Sequence, residues 1–402
     1  MSKSERMHPG VWALAVTAFA IGVAEFIVVG VLPAIADDLG VTVATAGSLV
    51  GLYALALAVG TPILVIAAGR VPRKALLFAL VSVFLAGNLI SAFASSYEIL
   101  LAGRILTAVA HGSFFAIGAT VAARLSPPGQ ASRAIAAMFA GLTLAMVIGV
   151  PMGSLIGNEL GWRLPFFGVV ALAAVGLLAI ALWVPKQPHE ADVSAAQQLK
   201  ALKTLPVLVM MSITILGFGA SFAAFTFITP ILTDETGFSS GTASLLLIVF
   251  GVATLVGNLM GGRWAAHYGW ARTLRIMLAG VAVVMVAMAL GMSNQYVMVP
   301  LLFAWGVLAF GMSPGFQTGM LETAERWSPK AVAFTSALNI SAFNLGITLG
   351  EHSGSALVEQ GLIGLTPWAG LALAALAQLP LFWLAARHRR SGTVNNPAMA
   401  SA

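Results

Sequence analysis

Twelve apolar segments, separated by short polar stretches, constrain the fold of this chain more than any other feature. They cover residues 11–36, 43–69, 75–95, 99–123, 134–157, 164–184, 205–232, 241–262, 273–292, 296–321, 332–357 and 366–386. Each has roughly 20 residues, which as a helix is enough to cross about 30 Å of hydrocarbon. Charged residues make up only 8% of the chain, whereas a soluble domain carries about 25%. The sequence therefore predicts an all-α membrane protein with twelve transmembrane helices.

The basic residues predict the orientation of these helices. All of the 20 Lys and Arg residues except Arg104 and Arg163 lie at the N-terminus, in loops on one side of the predicted membrane, in residues 185–204 or in the C-terminal tail. Such an excess is typical of the cytoplasmic face. We therefore expect both termini to be cytoplasmic, and the net charge of +6 to reflect topology rather than a nucleic-acid-binding surface.

An internal repeat divides the chain into two parts. The segment GVPMGSLI (149–156) is matched by GEHSGSAL (350–357), and the loop GRVPRK (69–74) is matched by residues 262–272. The most hydrophilic stretch, 185–204, lies between the sixth and seventh segments. We therefore predict two pseudo-symmetric six-helix halves, 1–184 and 205–402, joined by a cytoplasmic linker, with a binding site at the membrane midplane on the pseudo-two-fold axis.

Four motifs carry a resemblance to a known family. They are EFIVVGVLPAIADDLG (25–40), GRILTAVAHGSFFAIGA (103–119), GLTLAMVIGVPMGSLIG followed by GWR (141–163), and NISAFNLGITLG (339–350). Together they resemble the major facilitator superfamily, and within it the drug:proton antiporter group that includes bacterial sugar-efflux and arabinose-efflux-type permeases. The resemblance implies a bacterial inner-membrane transporter. It also implies that an antiporter motif on the fifth helix, Gly149, Pro151 and Gly153, seals the transporter against leaks.

The resemblance also implies a gating loop between the second and third helices, with the basic residues Arg70, Arg73 and Lys74. The family's loop normally carries an Asp and a Gly, but here Gly69 and Pro72 stand at those positions. The acid helps to lock one conformation in the family. This chain must therefore take that interaction from elsewhere or have a weaker one.

Glu25, Arg104 and His111 are the candidate proton-coupling residues. Glu25 is the only charged residue between Val11 and Ala36, and an ionisable residue inside a membrane usually has a function. Arg104 and His111 are seven residues apart, on one face of the fourth helix. Three alternatives remain: Glu25 caps a helix break or pairs permanently with Arg104, Arg104 locks helices through carbonyl groups, and His111 is a satisfied bundle histidine.

The remaining candidates concern substrate binding and the outer end of the eleventh helix. Family resemblance points to the first, fourth, seventh and tenth helices as the lining of the cavity, and the aromatic and amide side chains suit a neutral or amphipathic organic molecule. The candidates are Phe222, Phe225, Thr226, Trp305, Gln317, Asn339 and Asn344. The aromatic stripe on the seventh helix also fits packing or contact with lipid. Glu351 and His352 are expected to reach water at the outer end.

These features predict a proton-coupled exporter of small organic solutes, with a proton-coupled importer on the same fold as the alternative. Its partners are the solute, protons and the lipid bilayer, and a monomer is expected. A third hypothesis is an intramembrane hydrolase that uses Ser313 in GMSPG (311–315), although a helix kink at Pro314 explains that motif better. The chain has no cysteine, metal-ligand spacing or dinucleotide motif, so no cofactor or metal is expected.

Overall fold

The computed structural model describes residues 7–67, 71–127, 131–186 and 200–394, and this part of the chain is helical without a strand. Its long helices are α1 (Pro9–Gly30), α2 (Val43–Ala67), α3 (Arg73–Ala92), α4 (Tyr97–Arg124), α5 (Ala131–Leu144, a π-helical turn at Ala145–Gly149, and Val150–Leu160), α6 (Arg163–Trp183), α7 (Leu205–Phe225), α8 (Ser240–Tyr268), α9 (Trp270–Gly291), α10 (Gln295–Trp327), α11 (Val332–Val358) and α12 (Thr366–Val394).

These helices confirm the predicted all-α membrane architecture. In the described part, eleven of them are long and apolar enough to cross a membrane. The remaining one, α11, has 27 residues and occupies the eleventh predicted segment. Residues 187–199 of the predicted linker and Arg70 of the predicted gating loop lie outside the described residues. Lys74 is described, and its Nζ donates to the carbonyl oxygen of Ala181 in α6 at 2.7 Å.

The first helix of each half is shorter than its apolar segment predicts. The segment 11–36 is divided between α1 and a short helix, Leu32–Leu39, with Pro33 in the first turn of the latter. Proline is tolerated there because the first N–H groups of a helix have no partner within it. The segment 205–232 is likewise divided, since α7 ends at Phe225 and a short helix, Ile228–Pro230, follows. The predicted single helices over these two segments are therefore wrong at their C-terminal ends.

The two halves meet through a symmetric pair of contacts. Helix α2 packs against α11, and α5 packs against α8. A pseudo-two-fold axis that relates α2 to α8 and α5 to α11 exchanges these two contacts. The packing thus agrees with the repeat found in the sequence and places an interface between the halves.

Hydrogen bonds join the halves near one face of the membrane. We call this the far face, where α1 ends and α2 begins, and the opposite side the linker face, where α6 ends and α7 begins. Three hydroxyl groups of the C-terminal half donate to carbonyl oxygens of the N-terminal half. Thr348 donates to Gly51 at 3.0 Å, Ser355 to Ala44 at 3.2 Å, and Thr229 to Val29 at 2.8 Å. The Ser154 and Ser244 hydroxyls lie 2.9 Å apart. The halves are therefore closed against each other at the far face.

Candidate functional site between the two halves

Arg104 connects three helices of the N-terminal half. Its guanidinium group is fully buried and donates from Nη1 to the Ala24 carbonyl and from Nη2 to the Glu25 carbonyl, the latter at 3.2 Å. The guanidinium carbon lies 3.9 Å from the centre of the Tyr53 ring in α2. Carbonyl oxygens and an aromatic face are both favourable partners for a cation removed from water. Arg104 thereby holds α4 against α1 and α2.

Tyr53 is a site residue that the sequence analysis missed. Its hydroxyl lies 2.9 Å from His111 Nδ1, so Arg104 and His111 both contact this one side chain. A signal was present, because Tyr53 is the only ionisable side chain between residues 43 and 67. His111 is buried and also packs on Phe115, with 5.2 Å between ring centres. Its hydrogen bond therefore goes to Tyr53 and not to Glu25.

Glu25 lies beside this cluster through its backbone carbonyl, but its carboxyl group has no partner in the cluster. Within the described residues it forms no ion pair or hydrogen bond, and the side chain is only partly buried. Arg104 Nε is buried and also lacks a hydrogen-bond partner among the described residues. The alternative of a permanent Glu25–Arg104 ion pair is therefore wrong. An acid with access to solvent lies near a cation that has one unused N–H group.

Phe222 and Phe225 belong to an aromatic cluster between the halves. Each ring centre lies 6.5 Å from that of Phe26 in α1. On the other side, Phe225 stacks on Phe250 at 4.5 Å and meets Trp305 at 6.0 Å. All five side chains are buried. The stripe on α7 therefore faces the protein interior, and the alternative of lipid contact is wrong.

Two other substrate candidates are also enclosed. Trp305 is fully buried and its Nε1 has no acceptor among the described residues. Thr226 is fully buried, and its hydroxyl donates to the Phe222 carbonyl at 3.1 Å. Thr226 thus has its hydrogen bond within the chain, whereas Trp305 retains an unused donor.

The amide side chains form a network on α10 and α11. Asn339 Nδ2 donates to Gln317 Oε1 at 2.9 Å, and Gln317 Nε2 donates to the Ser336 hydroxyl at 2.6 Å. The Thr214 hydroxyl of α7 donates to Asn339 Oδ1 at 2.9 Å. The network thus links three helices of the C-terminal half, and Thr214 and Ser336 are members that the sequence analysis missed. Gln317 and Ser336 are partly exposed.

Asn344 lies further along α11 than this network. Its Nδ2 donates to the Ile340 carbonyl at 3.0 Å, one turn earlier in the same helix. Its Oδ1 is buried and has no partner among the described residues. A buried amide oxygen without a donor is costly, so Asn344 offers an acceptor to a ligand or to water.

The glycines of α5 bring this helix close to α1. A Cβ atom at Gly149 would overlap Val23, and one at Gly153 would overlap the Ile27 side chain. Pro151 has no N–H group, and the π-helical turn Ala145–Gly149 directly precedes the helix Val150–Leu160, in whose first turn Pro151 lies. Proline removes a helical hydrogen bond, and a π-helical turn accommodates such an interruption. The same turn contacts α8, where a Cβ atom at Gly251 would overlap the Met146 carbonyl.

Two further sequence expectations differ from the structure. Ser313 lies inside the continuous helix α10 with Pro314, so the strand–turn–helix setting of a hydrolase nucleophile is missing there. Glu351 was expected to reach water, but it is 2% exposed because it lies in the interface between α2 and α11. His352 is exposed, as expected. Within the described residues, no group of three or more His, Cys, Asp or Glu side chains could hold a metal ion.

The described part of the chain has twelve long apolar helices, arranged as two related halves around buried polar groups, and these define a polytopic membrane protein of the secondary-transporter type. The Major Facilitator Superfamily model matches residues 14–351 and 210–400. The chain belongs to this superfamily, as its motifs predicted.

Curated relatives cover nearly the whole chain. An uncharacterized MFS-type transporter, YtbD of Bacillus subtilis, is 40% identical over 90% of this chain and 91% of its own length. The inner membrane transport protein YdhP of Escherichia coli K12 is 34% identical, covering 96% and 98%. A chloramphenicol resistance protein of Streptomyces lividans is 31% identical, covering 92% and 95%. The chain is thus a multi-pass transporter of the bacterial inner membrane.

A solved structure shows the same fold. It is a bacterial homologue of the human lysosomal transporter Spinster, in an inward-facing and unoccupied conformation. The two match with a TM-score of 0.75 and 15% sequence identity, over 93% of this chain and 96% of the other. At this identity, the match supports the fold.

Proposed function

We propose that this protein exports small organic solutes from the cytoplasm in exchange for protons. The observation that carries the proposal is that Arg104 donates to the backbone carbonyl of Glu25 at 3.2 Å while the Glu25 carboxyl group has no partner among the described residues. A partly accessible carboxyl group without a partner lies beside a buried guanidinium group with an unused Nε–H. A group that can gain and lose a proton, next to a fixed cation, is what proton coupling requires.

The proposed coupling step is a movement of the Glu25 side chain. When Glu25 is protonated it is neutral and needs no counter-ion, which fits its unpaired position in this structure. When it releases the proton, its carboxylate accepts the Arg104 Nε–H, because a charge inside a membrane is stabilised by pairing and hydrogen bonding. Tyr53 keeps the guanidinium group in place during this exchange. Glu25 is therefore the proton carrier, and Arg104 and His111 are its direct and indirect partners.

The substrate is proposed to bind between the aromatic cluster and the amide network. Phe222 and Phe225 supply apolar surface, Gln317 supplies a partly exposed amide group, and Asn344 supplies a buried carbonyl oxygen that has no donor among the described residues. Such a combination suits a neutral or amphipathic molecule. Similarity to a chloramphenicol resistance protein supports an amphenicol-like drug as a candidate, and sugars and nucleosides fit the same description.

The test is transport by the purified protein in proteoliposomes with an imposed pH gradient, screened with sugars, nucleosides and antibiotics. Glu25→Gln keeps the shape of the side chain but cannot release a proton. We expect it to bind the solute, to lose transport driven by the gradient, and to retain exchange of solute for solute. Glu98→Gln is the matched control, because Glu98 is an exposed acid at the start of α4.

Three results decide the proposal. If the wild-type protein moves solute and protons in opposite directions across the proteoliposome membrane, the result supports an exporter. Movement of solute and protons in the same direction would make the protein an importer. Gradient-driven transport by Glu25→Gln at the wild-type rate would remove Glu25 from the coupling mechanism.

We further propose that both termini and residues 185–204 lie in the cytoplasm, as the basic residues indicate. The linker face is then cytoplasmic and the far face periplasmic. A reporter fused after Lys200 should be active only in the cytoplasm, and a periplasmic signal would reverse the orientation.

A further inference from the structure

Glu351 of α11 is a buried acid that the proposed coupling step does not use. Its side chain is 2% exposed, and Oε1 has no hydrogen-bond partner among the described residues. The other carboxyl oxygen lies against Gly51 of α2, where a Cβ atom would overlap Oε2. Glu351 thus belongs to the C-terminal half but fills a space that a glycine of the N-terminal half leaves open.

Hydrogen bonds between the halves enclose this acid on both sides. Thr348, three residues earlier, donates to the Gly51 carbonyl, and Ser355, four residues later, donates to the Ala44 carbonyl. All three side chains lie on the face of α11 that meets α2, as their spacing requires. The two helices therefore cannot separate at the far face without bringing water to Glu351, and they cannot close without removing it.

Within the described part of the chain, no cation compensates the carboxyl group in the closed interface. Helix α7 has no ionisable side chain, and that of α2, Tyr53, is bonded to His111. Tyr97 at the start of α4 faces this region, with its hydroxyl on Ser48. Directly after the end of α11, Glu359 is a further acid.

The other ionisable groups near α11 lie away from the carboxyl group. His352 is exposed, and Tyr296 at the far end of α10 is 91% exposed. The remaining ionisable residues of α10 and α12 are at the linker face. Among the described residues, none forms an ion pair with Glu351.

We propose that Glu351 is a proton-binding site of the far-face gate, loaded from the far side as the halves close. An ionised carboxylate without a counter-ion is strongly disfavoured in a dry interface, whereas a neutral carboxyl group is tolerated. Opening of the gate exposes the group to water, where it releases the proton to the far side. The proton thus returns to the side from which it came and does not cross the membrane.

This site differs from Glu25 in its effect. Protons on the far side favour the conformation that is closed there, so acidity outside the cell increases the fraction of molecules that are ready to bind solute on the linker face. The effect depends on neither the solute nor the movement of Glu25. It can therefore hold whether or not Glu25 carries the transported proton.

The test is a distance measurement across the far face. The chain has no cysteine, so Asp37→Cys and Gln360→Cys introduce two unique spin-label positions on exposed residues of opposite halves. The distribution of distances between the two spin labels is measured by double electron–electron resonance in lipid nanodiscs between pH 5 and pH 9, without solute. We expect short distances at low pH and a growing population of long distances as the pH rises.

Substitutions of Glu351 decide the cause of the shift. In the labelled protein, Glu351→Gln should abolish the shift and keep the short distances at every pH, because the amide mimics the protonated acid. Glu351→Asp should retain a shift, and Glu25→Gln should retain it too. If Glu351→Gln keeps the full pH-dependent shift, or if the labelled protein shows none, the proposal is wrong. Neither result bears on gradient-driven transport, which tests the function proposed above.

Discussion

The guanidinium group of Arg104 lies on the ring of Tyr53, with 3.9 Å between the guanidinium carbon and the ring centre. The hydroxyl of the same tyrosine contacts His111 at 2.9 Å. One side chain of α2 thus supports two polar residues of α4 that are seven positions apart. Tyr53 therefore has two separable roles, one for its ring and one for its hydroxyl.

Replacing Tyr53 separates these roles. Tyr53→Phe keeps the ring under Arg104 and removes one hydrogen bond, which contributes about 0.5–1.5 kcal/mol to stability. We expect a small fall in melting temperature and a partial loss of pH-gradient-driven transport. Tyr53→Leu also removes the ring and should lose most of that transport. Equal transport rates for the two variants would show that the ring has no role in holding Arg104.

Phe222→Ala should change selectivity before it changes coupling. Removal of a buried Phe costs about 3–5 kcal/mol in a well-packed core, and here it opens space beside Phe26 at the interface between the halves. We expect the relative transport rates of large and small solutes to shift, with the proton-to-solute ratio unchanged. Phe84→Ala is the matched control, because Phe84 is equally buried in α3. The same selectivity in both variants would assign Phe222 to packing.

Pro151→Ala should increase proton leakage. The substitution restores an N–H group, so that the π-helical turn at Ala145–Gly149 can become regular α-helix, and the contact of this turn with α8 changes. We expect solute binding to persist while a pH gradient across proteoliposomes decays faster than with wild-type protein. Pro380→Ala, in the interior of α12, is the control. An unchanged leak would mean that Pro151 has no sealing role.

The ion pair of Asp38 with Arg163 should stabilise the N-terminal half at neutral pH and lose this effect in acid. The two form an ion pair at 2.7 Å, with side chains that are 47% and 35% exposed. Hydrogen bonds from Arg163 and Trp162 lower the pKa of Asp38 below its usual value. A lowered pKa in the folded state means that the pair stabilises the protein at neutral pH and that this contribution disappears as the pH falls through the pKa of folded Asp38.

The contribution of the Asp38–Arg163 ion pair to the free energy of unfolding is expected to be at most about 1 kcal/mol, since solvent screens an exposed pair. Asp38→Asn should therefore lower the melting temperature slightly at pH 7 and leave it unchanged at a pH below the range in which Asp38 titrates. Asp37→Asn is the control, because Asp37 is its exposed neighbour. A difference between wild type and Asp38→Asn that is constant with pH would contradict the assignment to an ionised Asp38.

The sequence predicted the twelve helices well because a membrane imposes length and apolarity on every span. It failed at the C-terminal ends of α1 and α7, where each helix is interrupted. An apolar run does not reveal that the helix is interrupted, and the signal was the proline at position 33 or 230. The repeated glycines of α5 correctly indicated close packing, although only the structure shows that the neighbour is α1.

The sequence predicted which ionisable residues belong to the candidate site, but it did not predict which side chains they contact. Glu25, Arg104 and His111 stand out because ionisable residues are rare in apolar segments. Their partners depend on which helices are adjacent, so the sequence could not show that His111 bonds to Tyr53 and not to Glu25. Burial of Glu351 was missed for the same reason, since its depth depends on a glycine in the opposite half.

The duplicated interface has diverged in its chemistry. Ser154 and Ser355 stand at corresponding positions of the repeat, and both bond across the halves. The residue that corresponds to Glu351 in the first copy is Val150, which cannot titrate. Of the two contacts between the halves, only that of α2 with α11 therefore has a titratable side chain at this position of the repeat. We expect the two halves to open asymmetrically. As the pH rises, α2 should separate from α11 at the far face, while the contact of α5 with α8 is kept and acts as the hinge.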